Sequence, residues 1–340
     1  MCHKRATDRH TILNASRENV VILRAVRIFL LLALPVIALG ASAAFAESSN
    51  FAGLVDIGSG RKLYLECSGT GSPTVVLISG KENGAADWSE VLDPADPEHH
   101  ADYDAMAWGK GNLHKSDSAV FPMVSRFTRV CAYDRPGTRL DGPDQSTPVA
   151  QPHPVDQAAD DLHRLLAAAG EPGPYVLVPH SYGGLIATLF ARTWPEEVDG
   201  LVMVDTVTQL MRQVASPEAV AKWDEFNRRS VPEAPEAVML IDAFAKIDAA
   251  SPLRELSAVV LSADKPWQPP SAQKESDPVG GVTFADWEAS EKLLATSLNA
   301  KFVTKTNSGH NIYAYSPQLV IDAIREVVDD VRSDAKRTAR

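Results

Sequence analysis

The chain reads as an α/β fold with a largely parallel central sheet. Strand-like apolar runs alternate with segments of helical spacing along most of its length, the order that a parallel sheet with helical crossovers requires. One of these junctions, "VLVPHSYGGLIA" from Val176 to Ala187, passes from an apolar strand through a tight turn directly into a helix-compatible run. The 340 residues are 45% hydrophobic and 23% charged, enough apolar material for a full core in one large domain or two small ones.

Taken in order, the elements begin with a leader. Residues Arg24 to Ala46, "RAVRIFLLLALPVIALGASAAFA", place arginines before an apolar run that ends in small residues, with Ala44-Phe45-Ala46 as an A-x-A site. This predicts a secretory signal peptide over 1–46, cleaved after Ala46, and a secreted or extracytoplasmic protein. The uninterrupted apolar run, Ile28 to Leu39, is short against the roughly 20 residues of a spanning helix. An uncleaved anchor is the alternative, and with it membrane contact. The polar stretch Met1 to Arg17 is long for a signal and leaves the start codon open.

"RKLYLECSG" and "PTVVLISG" then read as two early strands, and "TRVCAYDRPG" as a third ending in a turn. "PVDQAADDLHRLLAAAG", Pro154 to Gly170, has apolar residues at helical spacing and a glycine stop. A strand from Tyr175 to Val178, the turn and a helix from Gly183 to Thr193 follow. Strands come next at Val198 to Asp205 and Ser257 to Asp264, with a last one in "KFVTKTNSGH"; "SPQLVIDAIREVVDDVRSD" is a closing amphipathic helix. Between Thr206 and Glu255 the pattern is helical but broken by Pro217, Pro232, Pro235 and Pro252, which predicts a lid inserted between strands over 206–255. Asp93 to Ser118 and Lys265 to Gly281 read as surface insertions. No internal repeat is evident.

The formal charge is −11. Cleavage after Ala46 removes Lys4, Arg5, Arg9, Arg17, Arg24 and Arg27 against Asp8 and Glu18, so the remaining chain is more acidic still. An acidic surface without a Lys/Arg cluster and interleaved aromatics disfavours nucleic acid as a partner. Of three cysteines, Cys2 leaves with the leader; Cys67 and Cys131 remain, as one disulfide or two thiols.

A serine on a tight strand-to-helix turn is raised above the sheet edge, and the glycine two residues later lets the turn close. Ser181 is therefore a candidate nucleophile. It requires a base, a group that orients the base, and donors for an oxyanion. His310 in "TNSGHNIY" lies after the last strand and before the closing helix, the position and chain order expected for the base. His180, inside the turn, is expected to pack or hydrogen-bond structurally.

At this point the chain resembles the α/β-hydrolase superfamily, over most of Leu54 to Arg332. "VVLISG", "CAYDRPG", "YVLVPHSYGGLIATLFARTWPEEVDGLVMVD" and "SGHNIYAYSPQLVIDAIREV" carry the resemblance, in the family's order. It implies one hydrolase domain over 47–340, with a helical lid on a mostly parallel sheet. Pro179 departs from the family's usual glycine at the start of the turn; proline fits a negative φ and lacks an N–H. The resemblance also implies an oxyanion hole made by the backbone N–H groups of Lys81 and Tyr182. For the acid it leaves two choices: Asp205, at the end of the strand after the turn helix, is favoured, and Asp264, at the end of the next strand, is the alternative. The family's sheet places the Cys67 and Cys131 strands side by side, so a disulfide is possible, and Asp134 and Arg135 of "YDRPG" are expected to hold a loop near the site.

These expectations combine into a secreted serine hydrolase acting on small-molecule carboxylic esters through an acyl-enzyme. Amides, thioesters or lactones would use the same residues. No cofactor or metal is expected, because no His/Cys/Asp cluster has ligand spacing. A non-catalytic binding module and a cofactor-free haloperoxidase-type activity are the competing readings.

Overall fold

In the computed structural model the described residues are 50–92, 113–266 and 280–338, all within the unit Ala46–Arg340. In chain order the strands are β1 (Phe51–Gly58), β2 (Arg61–Ser68), β3 (Thr74–Ile78), β4 (Glu90–Leu92), β5 (Leu113–Lys115), β6 (Val130–Asp134), β7 (Tyr175–Ser181), β8 (Val198–Thr206), β9 (Ser257–Leu261) and β10 (Lys301–Val303). The helices are α1 (Val120–Val124), α2 (Val155–Ala169), α3 (Gly183–Thr193), α4 (Pro217–Asn227), α5 (Leu240–Ala249), α6 (Phe284–Ser297), α7 (Ile312–Tyr315) and α8 (Pro317–Thr338). Eight strands form one sheet in the order β1-β2-β6-β3-β7-β8-β9-β10, and β4 and β5 form a separate ribbon. β2 is antiparallel to both β1 and β6, and every pairing from β6 to β10 is parallel.

The central strands read as near-continuous apolar runs because both faces of the sheet are covered. Successive side chains alternate between two cores, as the two-residue repeat of a strand demands. Val76 and Ile78 of β3, Leu177 of β7 and Leu201 and Met203 of β8 join one core with Leu162 and Leu166 of α2 and Leu185 and Phe190 of α3. Val75, Leu77, Val176, Val178, Val202 and Val204 face the other, against Val124 of α1 and Val320, Ile324, Val327 and Val328 of α8. The α8 residues recur at helical spacing, so one stripe of that long helix covers the sheet while its acidic and basic residues stay outside. α2 stops at Gly170, whose φ of 71° is the left-handed stop that a terminal glycine supplies.

Several elements differ from the sequence reading. β1 was not expected: it is an edge strand with half of its residues exposed and only one buried, so it lacks a buried apolar pattern. α6 was missed because its inner face buries Ser290 and Glu291 beside Trp287 and Leu294, which breaks the apolar repeat; a Thr283–Asp286 capping box marks its start. β9 ends at Leu261, and Asp264 falls in the loop beyond it. Of the first expected insertion, Leu113–Lys115 pairs with β4 as β5. Residues 93–112 and 267–279 of the two insertions, and the leader, lie outside the described residues.

Cys67 and Cys131 are directly opposed in the β2–β6 ladder and are joined by a disulfide buried in the sheet. The bridge closes a loop across a sequence separation of 64, which restricts the unfolded chain more than the folded one. Replacing both cysteines with alanine is expected to lower unfolding stability by about 2–4 kcal/mol while the β2–β6 hydrogen bonds keep the fold. Urea unfolding with far-UV circular dichroism checks this; unchanged stability would refute it.

Candidate active site

Ser181 ends β7 with φ of 51°, a left-handed conformation that lifts its side chain out of the strand, and α3 begins two residues later. The turn closes because of Gly183: a Cβ there would stand 2.3 Å from the carbonyl oxygen of Ile78. Gly80, at the end of the neighbouring β3 loop, is required for a similar reason, since its Cβ would meet the Ser181 Cβ at 2.9 Å. Pro179 occupies the β7 position beside Ile78 of β3, so the proline that replaces the expected glycine is accommodated within the strand.

Asp205, near the end of β8, also has a positive φ, 44°, and is fully buried. Its Oδ2 accepts a hydrogen bond from His310 Nδ1 at 2.7 Å. Oδ1 accepts from the backbone N–H of Ala263 at 2.8 Å and from Trp287 Nε1 at 3.0 Å. Three donors thus engage both oxygens of the Asp205 carboxyl. With Nδ1–H directed at that carboxylate, a neutral His310 keeps its lone pair on Nε2. His180 Nε2 donates to the His310 carbonyl at 3.0 Å, and Trp287 lies edge-on to the His310 ring at 5.3 Å.

Asp264 has different partners. Its carboxylate accepts from the backbone N–H groups of Asn307 and Ser308, at 3.0 and 2.9 Å, and from Thr306 Oγ1 at 3.3 Å. Both acids therefore serve the same loop. Asp264 holds its backbone, and Asp205 holds the imidazole it carries.

Ser181, His310, Lys81 and Tyr182 meet around one cavity of about 470 Å³. The Lys81 ammonium pairs with Glu82 at 3.0 Å. Val207, Trp223, Phe226, Val238 and Leu240, all from the chain between β8 and β9, form an apolar wall, and Trp287 of α6 completes it. Lys81 follows β3 in a loop held by Arg135, which donates to the carbonyls of Ser79 and Gly80. Asp134 accepts from the Ala85 N–H at 2.6 Å. Both residues of "YDRPG" thus hold the loop after β3, as expected of them.

The sequence reading missed Trp287, Glu236 and Glu291. Trp287 and Glu291 are four residues apart on α6 and so share a face, a spacing visible in "WEASE" once the helix is recognised. Glu291 is fully buried, and its Oε1 accepts from Thr206 Oγ1 at 3.2 Å. Burial, and then the negative charge of Asp205, hold its carboxyl well above the usual range. As to metal-binding donors, Cys67, Cys131 and Glu171 place ligand-type atoms within 4.8 Å of one another. The two sulfurs are bonded to each other and Glu171 is paired with Arg129, so these donors are already engaged.

The model of the alpha/beta hydrolase fold family matches residues 111–286, more than half of the chain, and the chain belongs to that family. An uncharacterized protein of Schizosaccharomyces pombe is 35% identical over 147 residues, 42% of this chain and 26% of that protein. A protein of Hormonema carpetanum named as a probable transporter is 27% identical over 284 residues, 68% of this chain and 39% of that protein. The chain thus spans well under half the length of these two curated relatives. Among solved structures, a mutant epoxide hydrolase of Bacillus megaterium superposes with a TM-score of 0.50 at 13% identity, covering 81% of this chain and 99% of that one, a likeness of fold.

Glu291 generates a prediction about stability. Its folded pKa lies above the ordinary 4.5, so as pH rises past that value the unfolded chain ionises while the folded one holds its proton. The folded state then loses stability progressively until the folded pKa is reached. Glu291→Gln removes this loss. Its stability relative to the parent is expected to be higher at pH 7 than at pH 4.5, measured by urea unfolding at both; a pH-independent difference would count against a raised Glu291 carboxyl.

Proposed function

We propose that the chain is a serine hydrolase that cleaves carboxylic esters of small molecules. The observation that carries the reading is the convergence of Ser181 and His310 on one cavity, with the far nitrogen of the imidazole held by the buried Asp205. His310 Nε2 takes the Ser181 Oγ proton as the oxygen adds to the ester carbonyl. The carbonyl electron pair moves onto oxygen, which the N–H groups of Lys81 and Tyr182 receive. Collapse expels the alcohol, protonated by the imidazolium, and leaves an acyl-serine. Water, deprotonated by His310, then adds to the acyl carbon and releases the acid.

Asp205 keeps the proton on Nδ1 and balances the imidazolium charge; Asp264 is assigned to the loop backbone. The segment 206–255 acts as a lid, and its apolar wall receives the organic part of the substrate away from water. We also assign the protein to an extracytoplasmic compartment. The leader supports this, and so does a buried disulfide, which persists in oxidising surroundings. The intact mass of exported protein is expected to correspond to a chain starting at Glu47; a full-length mass would favour the anchor.

A fluorophosphonate probe is expected to form one adduct on Ser181, absent in Ser181→Ala, with turnover of p-nitrophenyl esters in the parent. Asp205→Asn is expected to lower kcat about 10³–10⁴-fold, because the amide presents the wrong hydrogen-bonding pattern to Nδ1. Asp264→Asn is expected to lose far less. Peptide mapping and steady-state kinetics check both. No adduct on folded protein would move the binding-module reading forward, and equal losses in the two variants would refute the assignment of the acid.

A further inference from the structure

The loop after β3 is held from two directions by one buried ion pair. Arg135 follows β6 and Glu236 lies between α4 and α5; their side chains are 3% and 5% exposed. Arg135 Nε and Nη2 donate to Glu236 Oε1 and Oε2 at 2.6 and 3.0 Å. The same guanidinium donates from Nη1 to the Ser79 carbonyl at 2.8 Å and from Nη2 to the Gly80 carbonyl at 2.5 Å. Glu236 Oε2 accepts the backbone N–H of Glu82 at 2.6 Å.

A trans peptide is planar, with its C=O and the following N–H pointing in opposite directions. Fixing the Gly80 carbonyl toward Arg135 therefore fixes the Lys81 N–H to point away from it. Fixing the Glu82 N–H toward Glu236 fixes the plane on the other side of Lys81. Both peptide planes flanking this residue are thus contacted by one pair of side chains, and the Asn83 N–H adds a turn hydrogen bond of 3.1 Å to the same Gly80 carbonyl. Glu82 has a φ of 64°, a costly conformation for a residue with a Cβ, and these contacts hold it there.

We infer that Arg135 and Glu236 are positioning residues that aim the Lys81 N–H into the cavity, and that through Glu236 the chain between β8 and β9 takes part in building the oxyanion donor. This rests on the esterase reading above. A pair present for stability alone is often replaceable by apolar side chains without loss. A pair that aims a catalytic donor is not, because the apolar substitutes leave the Glu82 N–H without its acceptor and the Gly80 carbonyl with the Asn83 turn bond alone.

The test compares the parent, Glu236→Gln and the double variant Arg135→Met/Glu236→Met on a p-nitrophenyl ester, with circular dichroism as the control for folding. The double variant removes both charges together, which avoids the uncompensated buried arginine that could unfold the single one. In folded variants kcat is expected to fall about 10–100-fold with KM within about twofold, since the lost contact is made to the transition state. Affinity for a boronic acid that forms a tetrahedral serine adduct is expected to fall in parallel. A folded double variant with parental kcat, or a loss confined to KM, overturns the inference while leaving the esterase reading standing. A parent that turns over no ester and takes no probe on Ser181 removes the reading and the inference together.

Discussion

Ser181 and Asp205 stand at the ends of adjacent parallel strands, each in a left-handed conformation that a side chain ordinarily avoids. Such a conformation costs of the order of 1–3 kcal/mol per residue, so it persists only where neighbouring contacts over-determine it. Here they do. The Val207 N–H donates to the Ser181 carbonyl at 2.9 Å, which ties the end of β7 to the residue after β8. Asp205 is held through both carboxylate oxygens. Near its end the sheet thus carries two bent residues on adjacent strands, one presenting a hydroxyl to the cavity and the other a carboxylate to the imidazole.

The same edge concentrates buried charge. Moving an ion out of water costs several kcal/mol even after relaxation, which the protein repays only with well-directed donors or a partner ion. Asp205 is repaid by three donors. Arg135 and Glu236 are repaid by each other and by the loop backbone. Glu291 is fully buried beside the negative charge of Asp205 and has one side-chain donor, from Thr206, so its carboxyl is held well above the usual range.

That distinction also explains what was legible in the sequence. The turn at Ser181 could be placed because the strand, the turn glycine and the helix are local, and the alternation of β and α patterns set the layer order. The choice between Asp205 and Asp264 could not be read with the same firmness: both follow apolar strands, and what separates them is which one the loop before α7 turns its imidazole toward. Glu236 left no mark in "PEAPEAV", since its partners are distant along the chain. Glu291 went unseen for a related reason, because a buried carboxyl erases the apolar repeat by which a helix such as α6 is recognised.

The cavity is built from parts with unequal freedom to change. Ser181 and Asp205 sit at strand ends and His310 on a loop, where a shift in backbone would break several buried hydrogen bonds at once. Its apolar wall comes mainly from the chain between β8 and β9, where Trp223, Phe226, Val238 and Leu240 contribute volume and little directional bonding. Hydrophobic contact tolerates exchange of shape at constant volume far better than a polar network tolerates loss of a partner. Glu236 sits in that more permissive stretch and yet belongs to the polar network. The wall can therefore vary around it only where the carboxylate still reaches Arg135 and the Glu82 amide, which ties the shape of the cavity to the geometry of the loop carrying Lys81.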